Sequence, residues 1–254
     1  VIAFGLKRLI DEAFGEEVNV ISLPAVTKYE SHGTAGLTAS MIYQINHYAD
    51  GVIIGGGNLY ENGELTIDSH ALNTLQPPMM LYSLSNGRAY DRRNQLAPRT
   101  DTMAADKVRQ LSAKAFQNFA RCNATLDWLH ELGADKARLG GCPTLFLDER
   151  AGDIPVPAEA MQGMTLISLR TPGLMSVSPV IRGRVKGEID AMIARLREAG
   201  HDKVRLLCHD YRDVDFAASF DGVDFVITDD ARTFLGWLKT ARLCVSYRLH
   251  ASLP

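Results

Sequence analysis

The last strand-like run of the sequence, LCVSYRLH, ends in a serine, an arginine and a histidine at alternating positions. Alternate side chains of an extended chain share one face, so the spacing predicts that Ser246, Arg248 and His250 point the same way. A guanidinium can hold a carboxylate or phosphate through two parallel hydrogen bonds, and an imidazole can transfer a proton near neutral pH. The alternative interpretation is an arginine and a histidine on a solvated loop.

A second Ser-x-Arg pattern closes the apolar run MTLISLR, which places Ser168 and Arg170 at the end of another predicted strand. Ligands bind beyond the carboxyl ends of parallel strands. If Arg170 and Arg248 converge there, they form a clamp for a ligand with two negative groups. A surface arginine at a strand end is the alternative. His209 ends a third run, KVRLLCH, and is a further candidate for the same site, although a polar turn is the simpler interpretation.

Three glycines follow the apolar run VII in the segment GVIIGGGNLYE. The segment has no third glycine in the phase of a dinucleotide-binding fingerprint and no lysine of a phosphate-binding loop. We therefore predict that Gly56, Gly57 and Asn58 form a backbone-lined turn that a sugar or phosphate can approach closely. A tight connection between strand and loop is an equally good interpretation.

The composition narrows the classes of partner. The chain has 254 residues, of which 46% are hydrophobic and 22% charged, and a formal net charge of -3. This charge gives no reason to expect a nucleic acid partner, so an anionic ligand must be held by a few local cations. The four cysteines are widely spaced, and His32, His47, His70, His130 and His201 lack ligand spacing, which predicts reduced thiols, no metal and a cytoplasmic protein. No apolar run approaches the roughly 20 residues that span a bilayer.

Short apolar strands alternate with amphipathic helices, which is typical of parallel βαβ units. The pattern stops in a polar, proline-containing segment and then starts again. We therefore predict an α/β protein with an N-terminal Rossmann-like domain over residues 1–147, a linker over 148–163 and a C-terminal Rossmann-like domain over 164–254, with a cleft between the domains. The detailed predictions include a strand at 18–24 and one long helix over 104–120. The chain starts in a helix and stops just after a strand, so we expect both ends to be truncated.

Three stretches, IIGGGNLYE, SLR and above all SYRLHASLP, resemble the polysaccharide pyruvyl transferase family. The order of elements resembles this family over nearly the whole chain. The family is similar to two-domain glycosyltransferases of the B type, which agrees with the two Rossmann-like halves expected from the pattern. Family members usually begin with a strand ahead of the first helix and continue beyond the histidine motif.

The resemblance implies transfer of a pyruvyl group from phosphoenolpyruvate to two hydroxyls of a polysaccharide sugar or its precursor, giving a cyclic ketal and phosphate. Arg170 and Arg248 would hold the donor's carboxylate and phosphate, and His250 would protonate its methylene carbon. Ser168, Ser246 and His209, together with the glycine-rich turn, would complete the substrate site. No cofactor is implied beyond the donor substrate. The acceptor would be an exopolysaccharide sugar or a lipid-linked glycan, through which the protein would associate peripherally with a membrane.

Two other functions fit the same pattern. One is a glycosyltransferase or epimerase that uses a sugar nucleotide, although no nucleotide-ribose signature is visible late in the second domain. The other is a non-catalytic glycan-binding relative, which fold alone does not exclude. Stabilisation by phosphoenolpyruvate, by a nucleotide sugar or by glycan alone would separate the three.

Overall fold

The computed structural model describes residues 1–15, 18–25, 35–61, 65–91, 93–147, 152–175 and 177–254. The chain divides into two compact units. We call residues 2–88 and 98–143 the N-terminal unit, and residue 1 with 89–97 and 144–254 the C-terminal unit. No helix within these described ranges is both long and apolar enough to cross a membrane.

The N-terminal unit is built on a four-stranded parallel sheet whose order is β1-β2-β5-β6. A separate two-stranded sheet joins β3 (Arg88–Tyr90) to β4 (Leu96–Pro98), and most of its residues belong to the C-terminal unit. The strands of the four-stranded sheet are β1 (Val52–Gly57), β2 (Met79–Leu84), β5 (Gln117–Ala120) and β6 (Arg138–Leu139). The helices of the N-terminal unit are α1 (Ile2–Phe14), α2 (Ala39–Tyr48), α3 (Ser69–Leu72), α4 (Ala105–Lys114) and α5 (Asn123–Glu131). Buried side chains such as Leu81, Leu111 and Leu129 join the sheet and helices in one apolar core.

Strand β2 carries an irregularity just before it ends. Ser83 has a φ of 59°, and the pairing of β2 with β5 shifts register between Tyr82 and Leu84. A positive φ is costly for any residue with a Cβ. The Ser83 side chain is fully buried, and its hydroxyl has no hydrogen-bond partner among the described residues. The bulge therefore bends the strand immediately ahead of the loop that carries Ser85 and Asn86.

The C-terminal unit repeats the scheme with a four-stranded parallel sheet in the order β10-β7-β8-β9. Its strands are β7 (Thr165–Ser168), β8 (Val204–Cys208), β9 (Asp224–Ile227) and β10 (Leu243–Ser246), and its helices are α6 (Pro179–Arg182), α7 (Val185–Glu198), α8 (Val214–Ala218) and α9 (Ala231–Thr240). Ile167 packs in one core with Ile189 of α7, and Leu166 packs in a second core with Phe234 of α9. Helices thus cover both faces of the sheet, which explains why its strands are continuous apolar runs.

The α/β class with a parallel sheet in each half is confirmed, but two elements were predicted wrongly. Residues 18–24 form no strand. The helix predicted over 104–120 ends at Lys114, because the backbone of Ala115 is extended and Phe116 donates its N–H to Met79 O at 2.7 Å. The remaining residues form β5 beside β2, so pairing with the sheet overrode the helical spacing of the apolar positions.

Candidate functional site

The polar residues of the C-terminal unit gather where three neighbouring strands end. Ser246 of β10 lies opposite Ser168 of β7, and Ser168 lies opposite Leu207 of β8. Each strand carries a polar residue two positions further on, namely Arg248, Arg170 and His209. The register alone therefore brings these three residues to one height at the carboxyl edge of the sheet, although they are far apart in sequence.

The two guanidinium groups share two carboxylates. Arg170 Nη1 is 2.9 Å from Asp210 Oδ2 and 3.6 Å from Asp213 Oδ1. Arg248 Nη1 is 3.1 Å from Asp213 Oδ2 and 3.7 Å from Asp210 Oδ2. Both arginines are mostly buried, with side chains 17% and 22% exposed. We call these four residues the arginine–aspartate cluster. The predicted convergence of Arg170 and Arg248 is thus seen in the structure.

Asp213, which the sequence reasoning missed, is the most enclosed member of the cluster. It is fully buried, and its Oδ1 accepts the backbone N–H of Thr171 at 2.9 Å. Asp210 is partly exposed, and hydrogen bonds from Arg212 oppose burial and hold the pKa of its carboxyl well below the usual range. Two aspartates three residues apart in the segment DYRD were a usable signal, because one helical turn brings such residues together.

His209 is held neutral beside the cluster. Burial is the largest cause, and the positive charges of Arg248 and His250 add to it, lowering the pKa of His209 to about 3. Its Nε2 lies 2.7 Å from the hydroxyl of Ser168, which is fully buried. The Ser168 hydroxyl therefore orients the His209 ring from within the sheet.

The closing motif adopts a different geometry from the extended one predicted. Strand β10 ends at Ser246, and a turn of 3-10 helix spans Leu249–Ala251. The Ser246 hydroxyl accepts the N–H of Arg248 at 3.0 Å and donates to the carbonyl of the same residue. The prediction that Ser246, Arg248 and His250 share one face of a strand is therefore wrong, because Ser246 turns the chain locally. His250 still lies close enough to His209 to affect its pKa.

A second polar cluster lies at the carboxyl edge of the N-terminal sheet, centred on Asn58. The Asn58 Oδ1 accepts a hydrogen bond from Ser85 Oγ at 3.1 Å and one from Arg121 Nη2 at 2.7 Å. Its Nδ2 donates to Glu61 Oε2 at 3.3 Å. We call Asn58, Ser85, Glu61 and Arg121 the Asn58 cluster. These residues follow β1, β2 and β5, so here too neighbouring parallel strands deliver the polar groups.

Glu61 anchors the Asn58 cluster from inside the protein. It is 2% exposed, accepts the N–H of Gly87 at 2.6 Å and lies 3.3 Å from Arg99 Nη1. Arg99 also binds Asp101, an exposed residue, at Nη2. The buried negative charge of Glu61 is therefore compensated within the N-terminal unit.

The predicted glycine turn divides into two parts. Gly55 and Gly56 admit helix α1, because a Cβ there would lie 2.3 Å from Leu6 Cδ2 or 2.1 Å from Ile2 Cγ2. Gly57 has a φ of 96°, and a Cβ built on it would meet nothing within 4 Å. Gly57 is thus the glycine with open space beside it, whereas the space at Gly56 is filled by the chain itself.

Within the described ranges, no set of three or more histidine, cysteine, aspartate or glutamate side chains could hold a metal ion. The thiol of Cys208 lies beside the arginine–aspartate cluster, and burial raises its pKa to about 12, so it is an uncharged core residue.

Comparison with known proteins agrees with the motifs at the two sheet edges. The family model described as polysaccharide pyruvyl transferase matches residues 1–254, the whole chain. The chain belongs to the polysaccharide pyruvyl transferase family. In this family member, the motifs SLR and SYRLH, which carried the resemblance, begin opposite each other at Ser168 of β7 and Ser246 of β10. No curated protein sequence matches the chain at a significant level.

Nine chains of solved structures match the fold at a significant level. One, from Listeria monocytogenes, is named as a UDP-N-acetylglucosamine 2-epimerase; it is 11% identical, with a TM-score of 0.46. The match covers 84% of this pyruvyl transferase family chain and 56% of the Listeria chain.

Proposed function

We propose that this protein transfers the pyruvyl group of phosphoenolpyruvate to two hydroxyls of a glycan sugar. The observation that carries the proposal is the meeting of Arg170 and Arg248 at one sheet edge of a pyruvyl transferase family member. Phosphoenolpyruvate carries a carboxylate and a phosphate, and two guanidiniums are the groups best suited to hold such a pair.

The cluster keeps donor-binding capacity despite its aspartates. Within the described residues, the side-chain hydrogen bonds and ion pairs of Arg170 and Arg248 all involve Nη1. The other guanidinium N–H groups can therefore donate to a ligand.

The proposed chemistry needs one proton donor and two hydroxyls. His250 gives a proton to the methylene carbon of the donor, and the first sugar hydroxyl adds to the neighbouring carbon that bears the phosphate. The second hydroxyl then replaces the phosphate at that carbon. One hydroxyl proton ends on inorganic phosphate and the other reprotonates His250, so the products are the cyclic ketal and phosphate. Holding donor and acceptor together supplies the entropic part of the rate enhancement.

His209 has a separate part in this scheme. A group that stays neutral cannot deliver a proton readily, and its low pKa keeps His209 uncharged at neutral pH. His209 therefore serves as a hydrogen-bonding neighbour, which leaves His250 as the acid at this edge.

The test is incubation with phosphoenolpyruvate and candidate glycans, both free and lipid-linked, followed by mass spectrometry for the added pyruvyl group. His250→Gln should abolish ketal formation while phosphoenolpyruvate still binds. His70→Gln, the same change at an exposed histidine of α3, serves as the control and should keep full turnover. Turnover by His250→Gln would remove His250 from the mechanism.

A second variant tests the donor site. Arg248→Lys keeps the charge but loses the fork of parallel donors, so phosphoenolpyruvate affinity should fall by about tenfold or more. Arg205→Lys, at an arginine of β8 whose partner Asp224 is 77% exposed, is the matched control. Stabilisation by a nucleotide sugar but not by phosphoenolpyruvate would overturn the proposal.

A further inference from the structure

We propose that the Asn58 cluster is an oxyanion subsite, in which Arg121 binds a phosphate or carboxylate group carried by the acceptor glycan. The inference rests on the proposed function only in identifying the ligand as the acceptor. The anion site itself depends on the contacts of the N-terminal unit alone.

Arg121 is fixed in place before any ligand arrives. It follows β5 directly, and its backbone N–H donates to Leu84 O at 3.0 Å. Its Nη2 donates to Asn58 Oδ1 at 2.7 Å, and the amide of Asn58 is itself oriented by Ser85 and Glu61. A guanidinium held by a chain of side chains that ends in the buried Glu61 loses little freedom on binding a ligand.

The charge of Arg121 is not matched by a carboxylate. Among the described residues, no aspartate or glutamate oxygen lies within ion-pair distance of its guanidinium, and its one side-chain hydrogen bond is to the neutral amide of Asn58. Arg99, in the same unit, is paired with both Glu61 and Asp101. The Asn58 cluster therefore presents a positioned cation whose charge an anion can still neutralise.

A shallow surface cavity, open to solvent, adjoins this cation. Its volume is about 400 Å³, and its lining combines Arg121, Cys122 and Asn123 with the exposed apolar side chain of Leu139 and the backbone of Gly140 and Gly141. Gly57, the residue before Asn58, also has open space where a Cβ would lie. A sugar ring fits a space of this size, and the guanidinium at its edge fits one planar oxyanion or one phosphate.

The chemistry points to an anionic acceptor more than to the donor. The donor's two negative groups match the pair of guanidiniums in the arginine–aspartate cluster, whereas the Asn58 cluster offers one cation beside neutral hydrogen-bonding groups. Such a site suits a sugar that bears a single anionic group, either a glycosyl phosphate or a uronic acid.

The experiment measures binding of three probes by calorimetry: glucose 1-phosphate, glucuronic acid and methyl glucoside. We expect at least one of the two anionic sugars to bind about tenfold or more tightly than the neutral glucoside. Arg121→Gln should abolish that difference, and Arg121→Lys should restore part of it because lysine keeps the charge without the fork. Binding of glucose 1-phosphate alone identifies a phosphate site, and binding of glucuronic acid alone identifies a carboxylate site.

Arg109→Gln is the matched control, because Arg109 lies on α4 in the same unit and donates to the carbonyl of Leu132. It removes the same charge and should change the affinity by less than about twofold. A second readout needs no variant. Cys122 lines the cavity and is exposed, so the bound anionic sugar should slow its alkylation, measured by peptide mass spectrometry.

Equal binding of all three probes, or an anion preference that survives Arg121→Gln, would overturn the inference. Phosphoenolpyruvate affinity is measured on the same samples and should be unchanged by Arg121→Gln. If phosphoenolpyruvate fails to bind while the Arg121-dependent preference remains, the proposed function fails and the oxyanion subsite stands. If phosphoenolpyruvate binds and the preference for anionic sugars is absent, the proposed function stands and the oxyanion subsite fails.

Discussion

The carboxyl edges of the two sheets hold their arginines in different ways. In the C-terminal unit, Arg170 and Arg248 face the carboxylates of Asp210 and Asp213, whereas in the N-terminal unit Arg121 rests on the neutral amide of Asn58. A carboxylate holds a guanidinium strongly but neutralises its charge. A ligand must therefore bind through the guanidinium N–H groups that do not contact the carboxylate. An amide fixes it through one hydrogen bond and leaves its charge for the ligand. The same fold thus offers one charge-balanced and one charge-bearing edge.

The largest effect should follow removal of the carboxylate that joins the two arginines. Asp213→Ala leaves Arg170 and Arg248 without their fully buried partner, so the free energy of unfolding in urea should fall by about 3–5 kcal/mol. Asp224→Ala, which removes an exposed partner of Arg205, should cost less than about 1 kcal/mol. Equal losses in the two variants would mean that the arginine–aspartate cluster is not charge-balanced in the way described.

The corresponding change at the other edge is Glu61→Gln. The amide that replaces the carboxylate either points its NH2 group at the N–H of Gly87 or leaves one of its own groups without a hydrogen-bond partner. Arg99 also loses its buried negative partner. We therefore expect the free energy of unfolding to fall by about 1–3 kcal/mol. Asp101→Asn changes the exposed partner of the same arginine and should cost less than about 1 kcal/mol. If Asp101 proves the more costly, Glu61 is not the anchor of the Asn58 cluster.

The pH dependence of stability should differ between the two edges. The pKa of His209 is lowered to about 3, so its neutral form is favoured by the native state. Stability from this group is complete above the unfolded pKa of about 6.5 and is lost as the pH falls below it, by at most about 1.4 kcal/mol per pH unit. Unfolding in urea at pH 7.5 and pH 5 measures this loss.

His209→Asn should reduce the difference between the two pH values, and His70→Gln, at an exposed histidine of the N-terminal unit, should leave it unchanged. Asp210, whose pKa is also lowered, titrates below this window and does not contribute to it. An unchanged difference in His209→Asn would show that burial does not hold this ring neutral.

The smallest expected effect is at Gly57. Gly57→Ala forces a Cβ into a backbone with a φ of 96°, which costs about 1–2 kcal/mol in the free energy of unfolding. Because nothing lies within 4 Å of that Cβ, steric overlap adds nothing. Gly56→Ala, where the Cβ would meet Ile2, should cost more in the same urea measurement. The opposite order would mean that the open space beside Gly57 is filled.

The strand ends were the part of the molecule that sequence could predict. The apolar runs ending in Ser168-x-Arg170 and Ser246-x-Arg248 predicted two parallel strands of one sheet, and the register observed between these strands brings the arginines together. Alternation of strands and helices was likewise sufficient for the α/β class. These features depend on local patterns, which sequence records directly.

Partners that join distant segments were not predictable. The spacing in DYRD indicates that Asp210 and Asp213 lie together, but not that Asp213 is buried between two arginines, because its burial depends on β7, β8 and β10 lying side by side. The same holds for Arg121, whose partner Asn58 lies 63 residues away. The end of α4 at Lys114 was missed for a related reason, since only pairing with Met79 makes the following residues a strand.

The bulge at Ser83 has a consequence for engineering. A left-handed backbone and a buried hydroxyl that has no hydrogen-bond partner in the described part of the chain both disfavour serine there, and glycine removes both penalties at once. Replacing this residue by glycine should make the fold more tolerant of heat without altering a single charge. A variant stabilised in this way would tolerate the destabilising substitutions at the two sheet edges and could still be purified in folded form.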